Sequence, residues 1–318
     1  MSAPISYGTG IYAIDSGYVR AGLAAIYLVV EGGRAAVIET GCNSSLPFVE
    51  EALDRLGIAR DRVDFVIPTH VHLDHAGGAG AMMRAFCNAR LVVHPRGARH
   101  MVDPSKLIAG TIGVYGEEAT RRLYGDILPI EADRVIEAND GLSVSLAGRS
   151  LLCLDVPGHA RHHIAIVDEK SRSIFTGDTF GVTYAELAGD ERQFVFPTTT
   201  PVQFEPEALH ASMDRLLSHK PPVVYPTHFG QLRDVEANGE VLHRHIDASV
   251  SIALAASGTG EARHRQIAAE LSKYALAQVR EVGCRLPDSR VLELLGNDIE
   301  LNAQGLGVWL DARKSHAA

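Results

Sequence analysis

The sequence predicts an α/β (α+β) protein with a helical C-terminal extension, and three observations support this prediction. Short apolar runs typical of β-strands recur between residues 10 and 226. Helical patterns separate several of these runs, and strong helix formers dominate from about residue 234 onward. With 318 residues, of which 46% are hydrophobic and 22% charged, the chain can bury a large core.

The first predicted elements are three strands, in the segments GIYAI, LAAIYLVV and RAAVIET between residues 10 and 40. The last two flank EGGR at residues 31–34, where the Gly-Gly pair is typical of a tight hairpin turn. The segment NSSLPFVEEALDRLGI, residues 43–58, then predicts a helix. Its apolar residues recur at helical spacing, Pro47 suits the first turn, and Gly57 suits the end. The strand DFVIP follows.

The rest of the chain divides into an insertion, a β-rich segment and a helical end. Residues 95–130 are helix-rich and predict an insertion near the candidate site, which is the histidine-rich segment at residues 68–78. Strand-like segments occupy residues 134–177, and a helix at residues 206–219 leads into the strand PVVYP. The change of composition after residue 233 predicts a main domain of residues 1–233 and a C-terminal helical region of residues 234–318.

Charge, apolar-run length and cysteine spacing narrow the classes of function. The net charge of -9 disfavours binding to nucleic acid or to an anionic bilayer. The longest apolar stretches are too short to span a membrane, and the N-terminus lacks the basic and apolar regions of a signal peptide. The four cysteines form no Cys-x-x-Cys pair and are expected to be small core residues. These features predict a cytoplasmic protein without a membrane partner.

The segment PTHVHLDHAGG, residues 68–78, contains four candidate metal-binding side chains. His70 and His72 are two residues apart, so both rings point to the same side if the strand geometry continues. Asp74 and His75 fall on the turn into the next helix, and imidazole and carboxylate groups together suit zinc, iron or manganese. A polar loop in which Asp74 only caps a helix is the alternative. A chance match to His-x-His-x-Asp-His has a probability of about two in a thousand, so we favour a metal site.

Three later positions share the same context, because each follows an apolar β run and a glycine or proline. They are His159 in VPGHA, Asp178 in FTGDTFG and His228 in YPTHFG. Seven candidate metal ligands therefore lie where predicted strands end and loops begin.

These motifs resemble the metallo-β-lactamase fold superfamily, whose members carry His-x-His-x-Asp-His and then His, Asp and His at later strand ends. The resemblance covers residues 10–230 and implies a four-layer αββα sandwich with a two-metal site along one sheet edge. The ligand sets that it implies are His70, His72 and His159 for one metal, Asp74, His75 and His228 for the other, and Asp178 as the bridge between them.

The function implied by this resemblance is that of a dinuclear metal-dependent hydrolase in which a metal-bridging hydroxide attacks an ester, thioester or lactone. Two cations that share a water lower its pKa toward neutrality, which yields the nucleophile. Two divalent ions are expected, with zinc first and iron or manganese also compatible with these ligands. Asp74 is expected to act both as a ligand and as a proton shuttle to the leaving group. The small-molecule substrate is not identified by the motif.

Tyr184 and two departures from the family pattern concern groups around the ligands. Tyr184 lies six residues after Asp178, where related lactone hydrolases place a tyrosine that hydrogen-bonds the substrate carbonyl; a tyrosine with a purely structural role is the alternative. Many members have Asp-Thr-Gly where this chain has Glu39-Thr40-Gly41. Ala160 directly follows the candidate ligand His159, at a position where family members often have a serine or threonine. Both departures affect residues that support ligands.

Two other functions stay open on the same fold. The first is a diiron protein that binds or reduces oxygen or nitric oxide, although such relatives usually carry a carboxylate where this chain has His72. The second is a phosphodiesterase or nuclease, against which the negative charge weighs.

The C-terminal region resembles the helical domain of glyoxalase II type thioesterases, so it is expected to form either a lid or a homodimer interface. The order of parts also resembles a little-characterised bacterial and archaeal branch of similar length.

The remaining histidines are expected to have structural roles. His162 and His163 begin a predicted strand, on which only one of two successive rings can face the site. His210, His219 and His243 have no spacing that suggests a metal, and they are expected to be surface or packing residues.

Overall fold

The computed structural model describes residues 3–317. Contacts between Cα atoms divide the chain into two compact units, each of which is built from separate segments. The first unit comprises residues 3–155, 162–177 and 227–231, and the second comprises residues 156–161, 178–226 and 232–317. The predicted domain boundary at residue 233 stays a prediction. Across residues 3–317, no helix is long and apolar enough to cross a bilayer.

The first unit begins with a seven-stranded sheet whose strands follow chain order. The first four strands pair antiparallel, and parallel pairing begins between the fourth and the fifth. The sequence patterns did not predict the first strand. The strands are β1 (Ile5–Gly8), β2 (Ile11–Asp15), β3 (Ala25–Glu31), β4 (Arg34–Ile38), β5 (Val63–Ile67), β6 (Arg90–Val93) and β7 (Val135–Glu137).

The predicted hairpin between β3 and β4 is confirmed. Glu31 pairs with Arg34 in the ladder, and the two intervening glycines form the turn. Gly32 and Gly33 both have positive φ, at 54° and 73°, which is the conformation that a two-residue type I′ turn requires.

Helices cover one face of this sheet. They are α1 (Leu46–Arg55), α2 (Leu73–Ala76), α3 (Ala79–Ala85), α4 (Pro95–Val102), α5 (Ser105–Tyr115) and α6 (Glu117–Tyr124). Ile26 and Leu28 of β3 belong to the buried core on the helix side, together with Leu53 and Phe86. Because side chains alternate along a strand, Tyr27 points to the opposite face.

The second sheet of this unit packs on that opposite face. Its antiparallel strands are β8 (Ser143–Leu146), β9 (Arg149–Asp155), β10 (Ile164–Asp168) and β11 (Ser173–Gly177). The Tyr27 ring lies 5.3 Å from that of Phe175 in β11. A fully buried ion pair joins Arg149 to Asp168, and Arg149 Nη1 also donates to the carbonyl of Thr9 over 2.7 Å. This contact ties the second sheet to the first.

The second unit is mainly helical. Its elements are α7 (Pro206–Ser218), β12 (Val224–Pro226), α8 (Val235–Ala255), α9 (Gly260–Glu281) and α10 (Asp288–Ala317). Arg263 of α9 donates to both carboxylate oxygens of Asp311 in α10, over 2.8 and 2.7 Å. The predicted fold class, an αββα sandwich with a C-terminal helical extension, is confirmed.

The cysteines follow the prediction at three of four positions. Cys42, Cys153 and Cys284 are buried thiols, whereas Cys87 is exposed. The prediction was wrong for Cys87 because this residue lies just beyond the end of α3, in the surface turn before β6.

Candidate metal centre

The His-x-His motif follows directly from the strand that precedes it. β5 ends at Ile67, the chain bends at Thr69, His70 and His72, and α2 then begins at Leu73; His72 itself has extended dihedrals, with φ at -62° and ψ at 147°. His70 Nε2 lies 2.9 Å from His72 Nδ1, and the ring centroids are 4.4 Å apart. The prediction that both rings face the same side is confirmed.

A second group of candidate ligands lies within the same unit. Asp74, His75 and His228 each offer one ligand atom, and these atoms all lie within 4.8 Å of one another. Asp74 Oδ2 is 3.5 Å from the Nε2 atoms of both histidines. The short helix α2 presents Asp74 and His75 together, whereas His228 reaches them from a segment more than 150 residues later.

In three of these histidines, an oxygen atom lies within hydrogen-bond distance of the ring nitrogen Nδ1. His75 Nδ1 lies 3.0 Å from Glu39 Oε1, His228 Nδ1 lies 2.8 Å from the carbonyl of Leu23, and His70 Nδ1 lies 3.1 Å from Thr69 Oγ1. A hydrogen-bond partner at Nδ1 fixes the ring orientation and selects the tautomer that presents Nε2 as an acceptor. The three rings are therefore arranged as metal-binding imidazoles usually are.

Glu39 organises the region behind His75. Its carboxylate is buried, and Oε1 accepts hydrogen bonds from Thr69 Oγ1 over 2.6 Å and Thr227 Oγ1 over 2.7 Å in addition to its contact with His75. Oε2 accepts from the backbone N–H of Thr69 over 3.0 Å. The longer side chain at this departure from the family pattern thus makes contacts of normal length.

The sequence reasoning missed the two threonines, although a signal for them exists. The tripeptide Pro-Thr-His occurs twice, at residues 68–70 and 226–228, and each time the threonine donates to Glu39 while the histidine is a candidate ligand. One buried carboxylate therefore connects both Pro-Thr-His segments.

The electrostatics at Asp74 favour its ionised form. Burial alone would raise the pKa of this carboxyl, but the positive charges that His75, His228 and His72 can carry outweigh burial and hold the pKa well below its ordinary value. Asp74 is therefore ionised at neutral pH.

The two remaining candidate ligands lie together in the second unit. His159 Nε2 is 3.4 Å from Asp178 Oδ2. His159 Nδ1 is 3.3 Å from the carbonyl of Thr198, whose hydroxyl donates to the carbonyl of Asp178 over 2.9 Å. His159 thus shows the same pattern as His75 and His228, with an oxygen at Nδ1 and Nε2 directed toward a carboxylate.

These donor sets fit divalent metal ions. Imidazole nitrogen and carboxylate oxygen are the ligands that zinc, iron and manganese accept, and each carboxylate brings negative charge that a cation neutralises. His162 and His163 have supporting positions: the Val71 N–H donates to His162 Nδ1 over 3.4 Å, and the His163 ring stacks on that of His70 at 4.7 Å.

An apolar cluster that we call the aromatic wall lies beside the Asp74, His75 and His228 group in the first unit; two of its members, Leu73 and Tyr124, are buried, and the other two are partly exposed. It consists of Tyr18, Leu73, Tyr115 and Tyr124, and Leu73 directly precedes Asp74. The hydroxyls of Tyr18 and Tyr124 lie 2.9 Å apart, and their rings stack at 5.8 Å. Burial, and then the negative charge of Asp74, raise the pKa of both hydroxyls, so both stay protonated hydrogen-bond donors.

Tyr184 has a buried position within the second unit. Its hydroxyl donates to the carboxylate of Asp298 in α10, with oxygen separations of 3.1 and 3.2 Å. This contact ties Tyr184 to the C-terminal helices, and its expected role as a substrate hydrogen-bond donor stays a prediction.

Comparisons with known proteins give relatives of the same fold. The metallo-β-lactamase fold-containing protein ST1585 of Sulfurisphaera tokodaii is 25% identical over 226 residues, which cover 70% of this chain and 78% of that protein. The acyl-coenzyme A thioesterase MBLAC2 of Gallus gallus is 29% identical over 183 residues, which cover 54% of this chain. The match spans 63% of the thioesterase, which is less than two thirds of its length.

Solved structures show the same architecture. A metallo-β-lactamase family protein, TTHA1429 of Thermus thermophilus, has a TM-score of 0.67 and 22% identity, with 97% of this chain and 95% of that chain covered. The structure of ST1585 has a TM-score of 0.65 and 22% identity, covering 94% of this chain and 98% of that chain. A chemotaxis sensor with a peroxy diiron species has a TM-score of 0.54 and 17% identity, covering 76% and 93%.

A match to a family model identifies the family of this chain. The model described as "Metallo-beta-lactamase superfamily" matches residues 19–228, which include all seven candidate ligands and most of both sheets. This chain belongs to the metallo-β-lactamase superfamily.

Proposed function

We propose that this protein is a dinuclear metal-dependent hydrolase that cleaves an ester, thioester or lactone. The observation that carries the proposal is the His70–His72 pair, whose facing nitrogen atoms are 2.9 Å apart. A histidine at residue 72 provides a neutral ligand where diiron relatives usually carry a carboxylate. Family membership and the thioesterase relative also support a hydrolase.

The proposed ligand sets are those implied by the family resemblance. His70, His72 and His159 would hold one divalent ion, Asp74, His75 and His228 the other, and Asp178 would bridge them. When bound, two such ions would lower the pKa of a water and polarise a carbonyl group. Zinc is the proposed native metal, and iron and manganese are compatible with the same donors.

The remaining chemistry falls to side chains of this chain. Asp74 is ionised, and its side chain is 22% exposed. Its low pKa makes it a weak base, so we propose that its carboxylate receives the proton of an attacking water only transiently. We propose that it then passes this proton to the leaving oxygen or sulfur. Glu39 keeps the His75 ring in place throughout, because its contacts do not depend on substrate.

The aromatic wall supports one class of substrate over another. Tyr18 and Tyr115 present partly exposed apolar surface backed by the buried Leu73 and Tyr124. One of the two paired hydroxyls donates to the other, which leaves one O–H able to donate to a substrate. An apolar acyl group next to a carbonyl fits such a surface better than a charged phosphodiester backbone does. This surface supports a thioester or ester substrate, and it weighs against a phosphodiesterase or nuclease.

The test combines metal analysis with a substrate screen. Purified protein is expected to contain two metal equivalents and to hydrolyse at least one of a set of acyl-CoA thioesters, alkyl esters and lactones. A chelator should abolish this activity, added zinc should restore it, and His72→Ala should remove one metal equivalent. Phosphodiesters are the comparison substrates. Activity that survives complete metal removal, or metal-loaded protein that cleaves phosphodiesters alone, would contradict the proposal.

The diiron alternative has its own test. Iron-loaded protein whose visible absorption shifts on exposure to oxygen or nitric oxide would favour a gas-binding or gas-reducing function. In the proposed hydrolase, the protein acts on a small molecule in the cytoplasm and needs no nucleic acid or membrane partner. Whether it forms a homodimer is a separate question, which sedimentation would answer.

A further inference from the structure

A pair of histidines lies in the second unit, apart from the seven candidate ligands. His210 belongs to α7 and His243 to α8. Their Nδ1 atoms are 2.5 Å apart, and the two rings are nearly parallel, with an interplanar angle of 6° and centroids separated by 4.8 Å. Two ring nitrogens therefore face each other directly.

Each of these rings is held at its other nitrogen by an aspartate from the opposite helix. His210 Nε2 lies 3.1 Å from Asp247 Oδ1, and His243 Nε2 lies 3.2 Å from Asp214 Oδ1. Each aspartate follows the histidine of its own helix by four residues, so the pattern His-x-x-x-Asp occurs once on α7 and once on α8. The four side chains form a reciprocal cluster that joins the two helices.

The protonation of this cluster follows from its partners. An ionised carboxylate only accepts hydrogen bonds, so each Nε2 atom must carry the proton that it donates. With Nε2–H directed at the aspartate, a lone pair is expected at Nδ1 of each ring, and the two Nδ1 atoms face each other across 2.5 Å. Such an arrangement is repulsive unless a cation lies between the nitrogens.

We propose that this cluster is a second metal site, in which Nδ1 of His210 and Nδ1 of His243 bind a zinc ion. Imidazole nitrogen is a preferred zinc ligand, and an aspartate behind each imidazole raises its basicity and fixes its orientation. The two carboxylates also neutralise the charge of the ion. The ring exposures of 26% and 23% leave room for water at the remaining coordination positions.

Both rings must move to receive the ion. Zinc–nitrogen bonds of about 2.0 to 2.1 Å in a tetrahedral arrangement place the two nitrogens roughly 3.3 Å apart. The two nitrogens must therefore separate by about 1 Å, and the nearly parallel rings must tilt so that both lone pairs converge on one ion. Rotation about the χ angles of these two partly exposed side chains supplies both movements. A zinc ion at this position would crosslink α7 to α8.

The test counts zinc in protein whose family site is already loaded. In equilibrium dialysis against micromolar zinc, we expect His210→Ala and His243→Ala each to bind one zinc per chain fewer than the unmodified protein. Asp247→Asn should keep the site but weaken it by about ten- to a hundredfold. The matched control is His219→Ala, which removes an exposed histidine at the end of α7 and should bind as much zinc as the unmodified protein.

A thermal readout separates a metal site from a structural defect. Zinc should raise the Tm of the unmodified protein and of His219→Ala more than that of His210→Ala or His243→Ala, while circular dichroism reports whether each variant folds. His243→Gln keeps the side-chain volume if the alanine variants do not fold. Equal zinc counts in all folded variants would overturn the proposal and would mean that only a proton is shared between the rings.

Discussion

Replacing Glu39 with glutamine perturbs the metal centre without touching a candidate ligand. Oε1 of Glu39 accepts three hydrogen bonds, from Thr69, His75 and Thr227, and Oε2 accepts one from the Thr69 backbone. If the amide oxygen of glutamine takes the Oε1 position, its NH₂ group faces the Thr69 N–H and two donors oppose each other. The opposite orientation would leave three donors without their acceptor.

The contacts of Glu39 set the expected losses of stability and of metal affinity in Glu39→Gln. A buried donor that loses its acceptor costs about 1 to 3 kcal/mol, so we expect the free energy of unfolding of the metal-free protein to fall by about that amount. A weakened partner behind a metal-binding histidine typically costs 10- to 100-fold in metal affinity, which corresponds to about 1.4 to 2.7 kcal/mol. Glu39→Asp, which restores the residue common in the family, shortens the side chain by one methylene and should give a smaller loss.

Competition against a chromophoric chelator measures the metal affinity, and urea unfolding of the metal-free protein measures stability. Glu51→Gln is the matched control, because it makes the same chemical change in an exposed ion pair with Arg55 on α1. The control should change stability by less than about 1 kcal/mol and leave metal affinity unchanged. Metal affinity of Glu39→Gln equal to that of the unmodified protein would refute the idea that Glu39 orients His75.

Three further predictions concern turnover, substrate choice and acid stability. Asp74→Asn should lower kcat by about 100-fold or more because the proton carrier is lost; full turnover with both metals bound would exclude the shuttle. Tyr124→Phe removes one hydroxyl of the aromatic wall, so KM for the best substrate should rise while the metal content stays the same; unchanged kinetics would remove this hydroxyl from substrate binding. Arg149→Met leaves the carboxylate of Asp168 buried without its partner and should cost about 3 to 5 kcal/mol in urea unfolding at pH 7. Burial raises the pKa of Asp168, but hydrogen bonds from Arg149 and Ser171 outweigh it, and the net pKa is below its ordinary value. The stability from this pair is therefore present above about pH 4 and lost as pH falls further, so Arg149→Met should flatten the acid side of the stability profile, and an unchanged profile would contradict this account.

Local patterns in the sequence were sufficient for several elements and for part of the candidate site. The Gly32–Gly33 hairpin was predictable because a two-residue turn with positive φ at both positions matches the twist of its flanking strands, and glycine adopts positive φ without strain. The shared direction of His70 and His72 was predicted from strand alternation. The structure brings their facing nitrogens within 2.9 Å of each other, although the strand ends at Ile67 and the chain bends at both histidines. In both cases the relevant interaction lies within a few residues of the chain.

Other features depend on contacts that local patterns do not encode. The exposure of Cys87 reflects where α3 ends, and element ends vary by a residue or two around what apolar spacing predicts. The pairing of His210 with His243 depends on which turns of α7 and α8 meet, so their separate spacings gave no sign of a partner. The aromatic wall likewise combines Tyr18 from the loop between β2 and β3, Leu73 from α2, and a tyrosine from the end of each of α5 and α6.

The sequence by itself determined the chemistry of this protein's candidate centre: the ligand types, their order and the strand ends that carry them. The residue types and their order are read directly from the chain. The strand ends are predicted from the alternation of apolar residues over a few positions. Only the tertiary structure decided which oxygen holds each imidazole and that Thr69 and Thr227 share the carboxylate of Glu39. That sharing joins positions 188 residues apart along the chain, and only the packing of the folded sheets brings such distant residues within hydrogen-bond range.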